Sequence, residues 1–273
     1  MSPINPTLSA DGMRNSLLES IIESKRKSAI GLGEQEMNAL GKQPFDAENA
    51  KIPRFIFVLS YGRSGTTLLQ GALNNSELIH FAGENFGFVE RLHRAEQALK
   101  DALAESQLQP HRDKPTEAFY GITSAPFERH SELYRELLIE LVMSSCPSNK
   151  KPSHIGFKEV RYPYFDRLIE HLEWVQRVFL NPTLVLVTRD LDEVLRSGFY
   201  RELSRIKRER RRQVLVKFEN VAREFLTSVG SGVELKYSQI AANSEQSAEI
   251  LQGVGIPVTA QNFEEAQKLK HSY

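Results

Sequence analysis

Cysteine is almost absent from this chain of 273 residues, which contains only Cys146. A single thiol cannot form an intrachain disulfide, and it cannot build the thiolate-rich sites that hold metals. We therefore expect Cys146 to be a half-buried side chain that fills space beside the core.

Excess charge and long apolar runs are lacking as well. The 35 basic residues balance 35 acidic ones, so no global field favours a nucleic acid or a membrane surface as partner. No apolar run has the length of a membrane span, and the N-terminus lacks the basic and apolar regions of a secretory signal. These absences predict a cytoplasmic, unanchored protein that binds neither nucleic acid nor membrane.

The remaining composition is that of an ordinary globular protein, with 40% hydrophobic and 26% charged residues. A polar N-terminal extension over 1–51, helical or irregular, is predicted to precede one domain over 52–273. Apolar residues in the segment 17–22 recur at helical spacing and predict an amphipathic helix over about 13–30. Such a helix packs on its own domain or on a partner subunit, so a homo-oligomer is one expectation.

Four short runs rich in apolar and β-branched residues are predicted as buried strands: Phe55–Leu59, His154–Phe157, Leu184–Thr188 and Val233–Lys236. Helical patterns lie between them, at about 66–74, 86–105, 131–144, 164–173, 190–228 (broken) and 244–253. This alternation predicts an α/β fold with a central parallel sheet flanked by helices, like that of the P-loop NTPases. Ligands of such sheets bind beyond the carboxyl ends of the strands. Four candidate functional residues follow these ends: Arg63, Lys158, Arg189 and Tyr237.

The loop after the first strand is the most informative segment. Its candidate ligands are Gly62, Arg63, Ser64, Gly65, Thr66 and Thr67. The two glycines allow backbone angles and close approaches that a Cβ would prevent. The hydroxyls and the guanidinium can bind phosphate oxygens, and the N-terminus of the following helix favours negative charge. Together they predict a site for a phosphorylated cofactor.

This loop departs from the nucleotide-hydrolysing pattern G-x-x-x-x-G-K-[ST]. Ser60 stands where the first glycine should be, and Thr66 replaces the lysine. The nucleophile elbow G-x-S-x-G also fails, because the residue two after Ser64 is Thr66. Two alternatives stay open: a nucleotide-dependent kinase with a degenerate P-loop, and a non-catalytic nucleotide-binding protein.

A second anion site is predicted after the third strand. Arg189 follows the strand end, and Ser197 comes eight residues later, about two helical turns along. An arginine and a hydroxyl in this arrangement can bind one isolated phosphate. An arginine followed by an aspartate that caps a helix, as in Arg189 and Asp190, is also a common structural feature. The prediction of a second phosphate site therefore depends on the first loop being present too.

The two motifs resemble those of the sulfotransferases that use 3′-phosphoadenosine 5′-phosphosulfate (PAPS). The 62–67 loop is similar to that family's 5′-phosphosulfate motif, and Arg189 with Ser197 to its 3′-phosphate motif. Tyr237 resembles a tyrosine motif of the family, although Ser238 and Gln239 replace its usual acidic pair. The resemblance spans about 52–240 and is closer to the carbohydrate- and protein-tyrosine-type branches than to the cytosolic phenol and steroid branch.

The resemblance implies transfer of a sulfuryl group from PAPS to a hydroxyl of an acceptor, without a metal; a carbohydrate or small natural product is favoured. It implies Glu84 as the general base, and Lys158 as the cation that assists the leaving group. A structural role for Glu84, as an acidic residue near the start of the next helix, is given the same weight as its role as the base. His80 and His93 are alternative bases.

Further charged residues are open to more than one interpretation. Glu159 and Arg161 could orient the lysine, bind the acceptor or form an ion-pair cluster at the strand end. The basic segment 201–212 is predicted to be largely solvated, with a part that covers the cofactor's 3′-phosphate or attracts an anionic acceptor. Acceptor specificity is expected in the segments 85–150 and 198–230.

Overall fold

The computed structural model describes residues 52–108, 114–118, 120–121 and 127–269. The predicted extension over 1–51, with its helix at about 13–30, lies outside the described residues. Cys146 is half-buried, as expected, with its Sγ 3.9 Å from the carbonyl oxygen of Lys150.

In the part of the chain that the structure describes, five parallel strands form one sheet, and all four predicted strands are confirmed. The strands are β1 Arg54–Leu59, β2 Ile79–Glu84, β3 His154–Glu159, β4 Thr183–Thr188 and β5 Gly232–Lys236. Their order in the sheet is β2-β3-β1-β4-β5. The strand that was not predicted is β2, which among the described residues pairs with β3 alone. Its sequence, IHFAGE, has only a short apolar stretch, which gives a weak strand signal. Its last three residues are progressively more exposed in the structure.

Helices cover both faces of this sheet. They are α1 Thr66–Asn74, α2 Phe88–Leu108, α3 Phe127–Met143, α4 Leu168–Val178, α5 Leu191–Leu195, α6 Arg205–Val229, α7 Tyr237–Ala242, α8 Ser244–Gln252 and α9 Ala260–Lys268. Short 3₁₀ turns lie at Tyr162–Tyr164 and Gly198–Glu202. The predicted break within 190–228 is therefore confirmed, whereas α7 and α9 were not predicted. The fold is the predicted α/β architecture with a flanked parallel sheet.

Side chains of β1 alternate between two cores, which is why the strand is apolar throughout. Phe55, Phe57 and Leu59 belong to one buried cluster, while Ile56 and Val58 belong to the cluster on the opposite face. The first cluster also contains buried residues of α3, α4 and α6, and the second contains those of α1, α8 and α9. Two packed faces hold the sheet rigidly between them.

The carboxyl ends of all five strands lie at one edge of the sheet, because every pairing is parallel. The predicted functional residues therefore come to a common edge. None of the helices in the described ranges is long and apolar enough to cross a membrane.

A substitution at Gly156 in β3 would test how closely β3 packs against β1. A Cβ added there would lie 2.0 Å from the backbone oxygen of Ile56 in β1. We expect Gly156→Ala to lower the free energy of unfolding by about 3 kcal/mol, because two paired strands would have to separate. Gly83→Ala in β2 is the control, because its Cβ would meet only the Gln70 Nε2 at 3.7 Å. It should change stability by less than about 1 kcal/mol. Urea unfolding measures both, and equal effects of the two substitutions would contradict the packing.

Candidate functional site

The loop after β1 is held in place by its own buried hydroxyls. Ser64 is fully buried, donates a hydrogen bond to the carbonyl oxygen of Tyr61 at 2.8 Å and lies 2.5 Å from the Ser60 Oγ. The Ser60 hydroxyl in turn donates to the Val187 carbonyl of β4 at 3.0 Å. The Ser64 side chain thus faces the interior of the loop, and its role as a phosphate ligand stays a prediction.

Gly65 precedes α1 and has a left-handed backbone conformation, with φ of 93°. A Cβ at this position would lie 2.1 Å from the Tyr237 ring, so only glycine lets the ring pack against the loop. The first turn of α1 has no acidic residue, and the first N–H groups of a helix have no acceptor within it. This end of α1 is therefore suited to an anion.

Arg189 extends from the end of β4 toward the same loop. Its guanidinium donates to the Arg63 carbonyl oxygen at 3.3 Å, stacks on the Tyr237 ring at 4.3 Å and pairs with Glu193 at 3.0 Å. The loop after β1, the end of β4 and the start of α7 are thus in mutual contact. The predicted cofactor residues Arg63, Arg189 and Tyr237 come together.

Tyr61 is a residue of this site that the sequence analysis missed. It is fully buried; its hydroxyl accepts the backbone N–H of Arg189 at 3.0 Å and lies 2.6 Å from the Glu219 carboxylate, to which it donates. Burial and this hydrogen bond to Glu219 raise the pKa of Tyr61 well above its ordinary value. A tyrosine beside a glycine-bearing loop gives no sequence signal, because its partners lie more than a hundred residues away.

Ser197 does not face the cleft with Arg189. Its hydroxyl donates to the Val194 carbonyl oxygen at 2.9 Å, where it closes the end of α5. The following residue, Gly198, does reach the loop, because a Cβ there would lie 2.9 Å from the Arg63 Nε. The role of Ser197 as a phosphate ligand stays a prediction.

Glu84 and Lys158 end two neighbouring strands and are paired in register. The Lys158 Nζ donates to the Thr67 hydroxyl at 3.1 Å, and the side chain is buried. Burial lowers the pKa of Lys158, and the negative charge of Glu84 partly opposes this effect. The Glu84 side chain is 38% exposed, and its carboxylate lies 4.0 Å from Arg161. A carboxylate and an ammonium group are therefore presented side by side.

Glu159 acts as an anchor for the residues around this pair. Its buried carboxylate accepts the backbone N–H groups of Gly87, Val160 and Arg161 at 2.6, 2.8 and 3.0 Å, and it pairs with the Arg161 guanidinium at 3.1 Å. These bonds fix the chain that follows Glu84 to the end of β3. These contacts form an ion-pair cluster at the strand end, and the exposed part of Arg161 still lines the cleft.

A cleft of about 790 Å³ opens over these strand ends. It is lined by Gly62, Arg63, Gly65, Thr66, Thr67, Leu68, Glu84, Lys158, Val160, Arg161, Tyr164, Arg189, Phe199, Tyr200, Arg211 and Tyr237. Five of these side chains are cationic and one is a carboxylate, so the cleft favours a ligand with several negative charges. Within the described ranges, no group of three acidic, histidine or cysteine side chains could hold a metal ion.

The two alternative bases lie elsewhere. The His80 Nε2 is 3.1 Å from the Ser145 hydroxyl, and His93 packs in an aromatic cluster with His171 and Trp174. Burial lowers the pKa of both His80 and His93. Neither histidine lines the cleft, which leaves Glu84 as the lining carboxylate.

Four of the seven basic residues in the segment 201–212 are exposed, and the other three make local contacts. Arg208 donates to two backbone oxygens at 3.0 and 3.1 Å, and Arg212 pairs with Asp192. Arg211 is the member of this segment that lines the cleft, where its guanidinium stacks on the Tyr164 ring at 4.6 Å.

Comparison with known proteins identifies one family. A model of the sulfotransferase family matches residues 53–260, which is more than half of the chain. Among solved structures, the crystal structure of the sulfotransferase STF9 from Mycobacterium avium is similar at a TM-score of 0.43 and 14% identity, covering 85% of this chain and 70% of that chain. At these values we draw no conclusion from the structural likeness. A search of curated proteins found no similar sequence.

The coupling of Glu84 to Lys158 is directly measurable. We expect Glu84→Gln to lower the pKa of Lys158 further, because the substitution removes the charge that opposes burial. An NMR titration of ¹³Cε-labelled lysine reports this pKa, with Lys158→Arg to assign the signal. Glu173→Gln, an exposed change on α4, is the control and should leave the signal unmoved. A Lys158 pKa that stays constant or rises in Glu84→Gln would contradict the proximity of the two groups.

Proposed function

The chain belongs to the sulfotransferase family, and from that premise we propose that it transfers a sulfuryl group from PAPS to a hydroxyl of an acceptor. One observation carries the proposal: the N-terminus of α1 and Arg189 lie at adjacent strand ends, in a cleft that five cationic side chains line. PAPS has negative charge at two separated positions of one adenosine, and it needs a site of this kind.

The described residues fit the donor at the loop after β1. Gly65 lets the Tyr237 ring pack against the loop, where a Cβ would collide with it, and the first N–H groups of α1 have no acceptor within the helix. We assign the 5′-phosphosulfate to Gly62, Arg63, Gly65, Thr66 and Thr67. We assign the 3′-phosphate to Arg189, with Ser197 as the second ligand that the resemblance implies.

Lys158 is proposed to stabilise the leaving group. When bound, the donor supplies a sulfuryl group whose bond to a phosphate oxygen breaks as the bond to the acceptor oxygen forms. The Lys158 ammonium lies beside Thr67 of the phosphate loop, where it can neutralise charge on that phosphate oxygen. Its burial strengthens the electrostatic effect, because little water competes with it.

Glu84 is proposed to accept the proton of the acceptor hydroxyl. Its partial exposure leaves the carboxylate accessible to an incoming group, while the register with Lys158 keeps it beside the reacting end of the donor site. Arg161 and Glu159 hold the surrounding backbone, so the base needs little rearrangement. The acceptor would thus enter from the β2 and β3 side of the cleft.

The donor assignment predicts discrimination for the 3′-phosphate. The protein should bind 3′-phosphoadenosine 5′-phosphate (PAP) at least about tenfold more tightly than adenosine 5′-phosphate, and Arg189→Met should remove most of this preference. Arg196→Met, at an exposed arginine directly after α5, is the control and should keep it. Calorimetry of both nucleotides measures the ratios. Equal affinity of the wild-type protein for the two nucleotides would contradict the donor.

If Glu84 and Lys158 act in catalysis, substitutions at these residues should reduce sulfuryl transfer without abolishing the binding of PAP. Glu84→Gln and Lys158→Ala should each reduce transfer by about 10²-fold or more while PAP binding survives. Transfer is measured by mass spectrometry of a metabolite extract incubated with ³⁴S-labelled PAPS. Glu173→Gln should match the wild-type protein, and metal-dependent turnover of ATP instead of PAPS would favour the kinase. Transfer at the wild-type rate in both Glu84→Gln and Lys158→Ala would contradict the proposed roles of base and leaving-group cation.

A further inference from the structure

The two ends of the cleft differ in what they hold. The phosphate ligands assigned to the donor follow β1 and β4, whereas Glu84 ends β2 and Arg161 follows β3, on the other side of β1. Adjacent strands lie about 4.8 Å apart, so the ends of β4 and β2 are separated by about 14 Å. The β2–β3 end is therefore available to a second molecule while the donor is bound. This end also carries positive charge that the donor assignment leaves unexplained.

Arg161 is one source of that charge. Its guanidinium is held by Glu159 at 3.1 Å and stacks over the Phe86 ring at 3.9 Å, which fixes its position. The Arg161 side chain is 33% exposed, so part of it faces the cleft. Phe86 itself is 68% exposed, a high value for a large apolar side chain at the rim of a cleft.

Arg211 is the second source of positive charge, and its charge is less neutralised by nearby carboxylates than that of Arg161. It is half-buried and stacks on Tyr164, which lines the cleft together with the buried Tyr200. No carboxylate of the described residues lies within 4.0 Å of Arg211, whereas the next residue, Arg212, pairs with both Asp192 and Glu209. A half-buried guanidinium without a counter-ion is costly, and an anionic ligand would remove that cost.

Tyr164 places Arg211 on the acceptor side. The 3₁₀ turn Tyr162–Tyr164 comes directly after β3, and Arg211 reaches it from α6. Both arginines are thus bound to chain that leaves β3, next to the strand that ends in Glu84. Each guanidinium carbon lies over an aromatic ring, at 3.9 Å for Arg161 and 4.6 Å for Arg211. The N–H groups of Arg211, and those of Arg161 that Glu159 does not engage, can take part in planar recognition of an oxyanion.

We infer that the acceptor carries an oxyanion, a phosphate, sulfate or carboxylate group, which Arg211 and Arg161 bind while its hydroxyl meets Glu84. This inference rests on the proposed sulfuryl transfer for the role of the bound molecule. The anion subsite itself stands on the geometry of the two arginines. It makes the acceptor an acidic molecule and excludes neutral sugars and phenols as the preferred class.

The subsite can be tested without knowing the acceptor. With the donor pocket saturated by PAP, inorganic sulfate should bind at a second site, observed through the arginine Nε–H signals in NMR and by calorimetry. Arg211→Gln should weaken this sulfate binding at least tenfold, and Arg211→Lys should retain part of it. Arg210→Gln removes an equal charge from the exposed neighbouring residue and should leave sulfate binding unchanged. Titrations with phosphate and with acetate in place of sulfate distinguish a tetrahedral oxyanion from a carboxylate.

Transfer gives the second readout. In the extract assay, the acceptors of the wild-type protein should carry an acidic group besides the sulfated hydroxyl. Arg211→Gln should raise their KM at least tenfold with a smaller change in kcat. Sulfate binding that Arg211→Gln leaves intact, or a wild-type preference for uncharged acceptors, would overturn the inference. Failure of PAP to bind would instead remove the proposed function, and sulfate titration of the protein alone would still decide the subsite.

Discussion

The parallel pairing of β1 with both β3 and β4 is the constraint on which the site depends. Leu59 at the end of β1 is in register with Glu159 on one side and with Leu186 on the other. The loop that follows β1 is therefore flanked by the chain that leaves β3 and by the chain that leaves β4. The close backbone approach at Gly156, and the two apolar faces of the sheet, keep these strand ends in a fixed relation.

Five cationic side chains at one edge of a sheet repel one another, and the structure compensates for this from behind the cleft. Glu159 holds Arg161, and Glu193 holds Arg189, in each case with the carboxylate away from the lining. Aromatic rings support Arg161, Arg189 and Arg211 from one side. The guanidinium groups are thereby fixed before any ligand binds, which reduces the entropy lost on binding an anion.

The division of the cleft follows from the strand order. Donor and acceptor of the proposed reaction would approach from opposite sides of β1. Lys158 on β3 and Glu84 on β2 lie on the acceptor side. A carboxylate beside a buried ammonium gives this region both a proton acceptor and a positive charge. In the proposed reaction the two groups would keep different roles, because Lys158 contacts Thr67 of the loop after β1, whereas Glu84 is partly solvated.

Local sequence determined much of this protein. Apolar runs determined four strands, and the order of strand, glycine-bearing loop and helix determined the loop at Arg63–Thr67 that the proposed function uses for an anion, because both are set by neighbours along the chain. The weakly apolar β2 was missed for the same reason: its identity as a strand comes from pairing with β3.

Only the tertiary structure decided which polar side chains face the cleft. It directs Ser64 into the loop and Ser197 to the end of α5, and it selects Arg211 from a run of similar residues. It also connects Tyr61 to Arg189 and Glu219. Spacing along a chain gives the reach of a side chain, but its direction depends on partners that are distant in sequence and become neighbours only when the sheet forms.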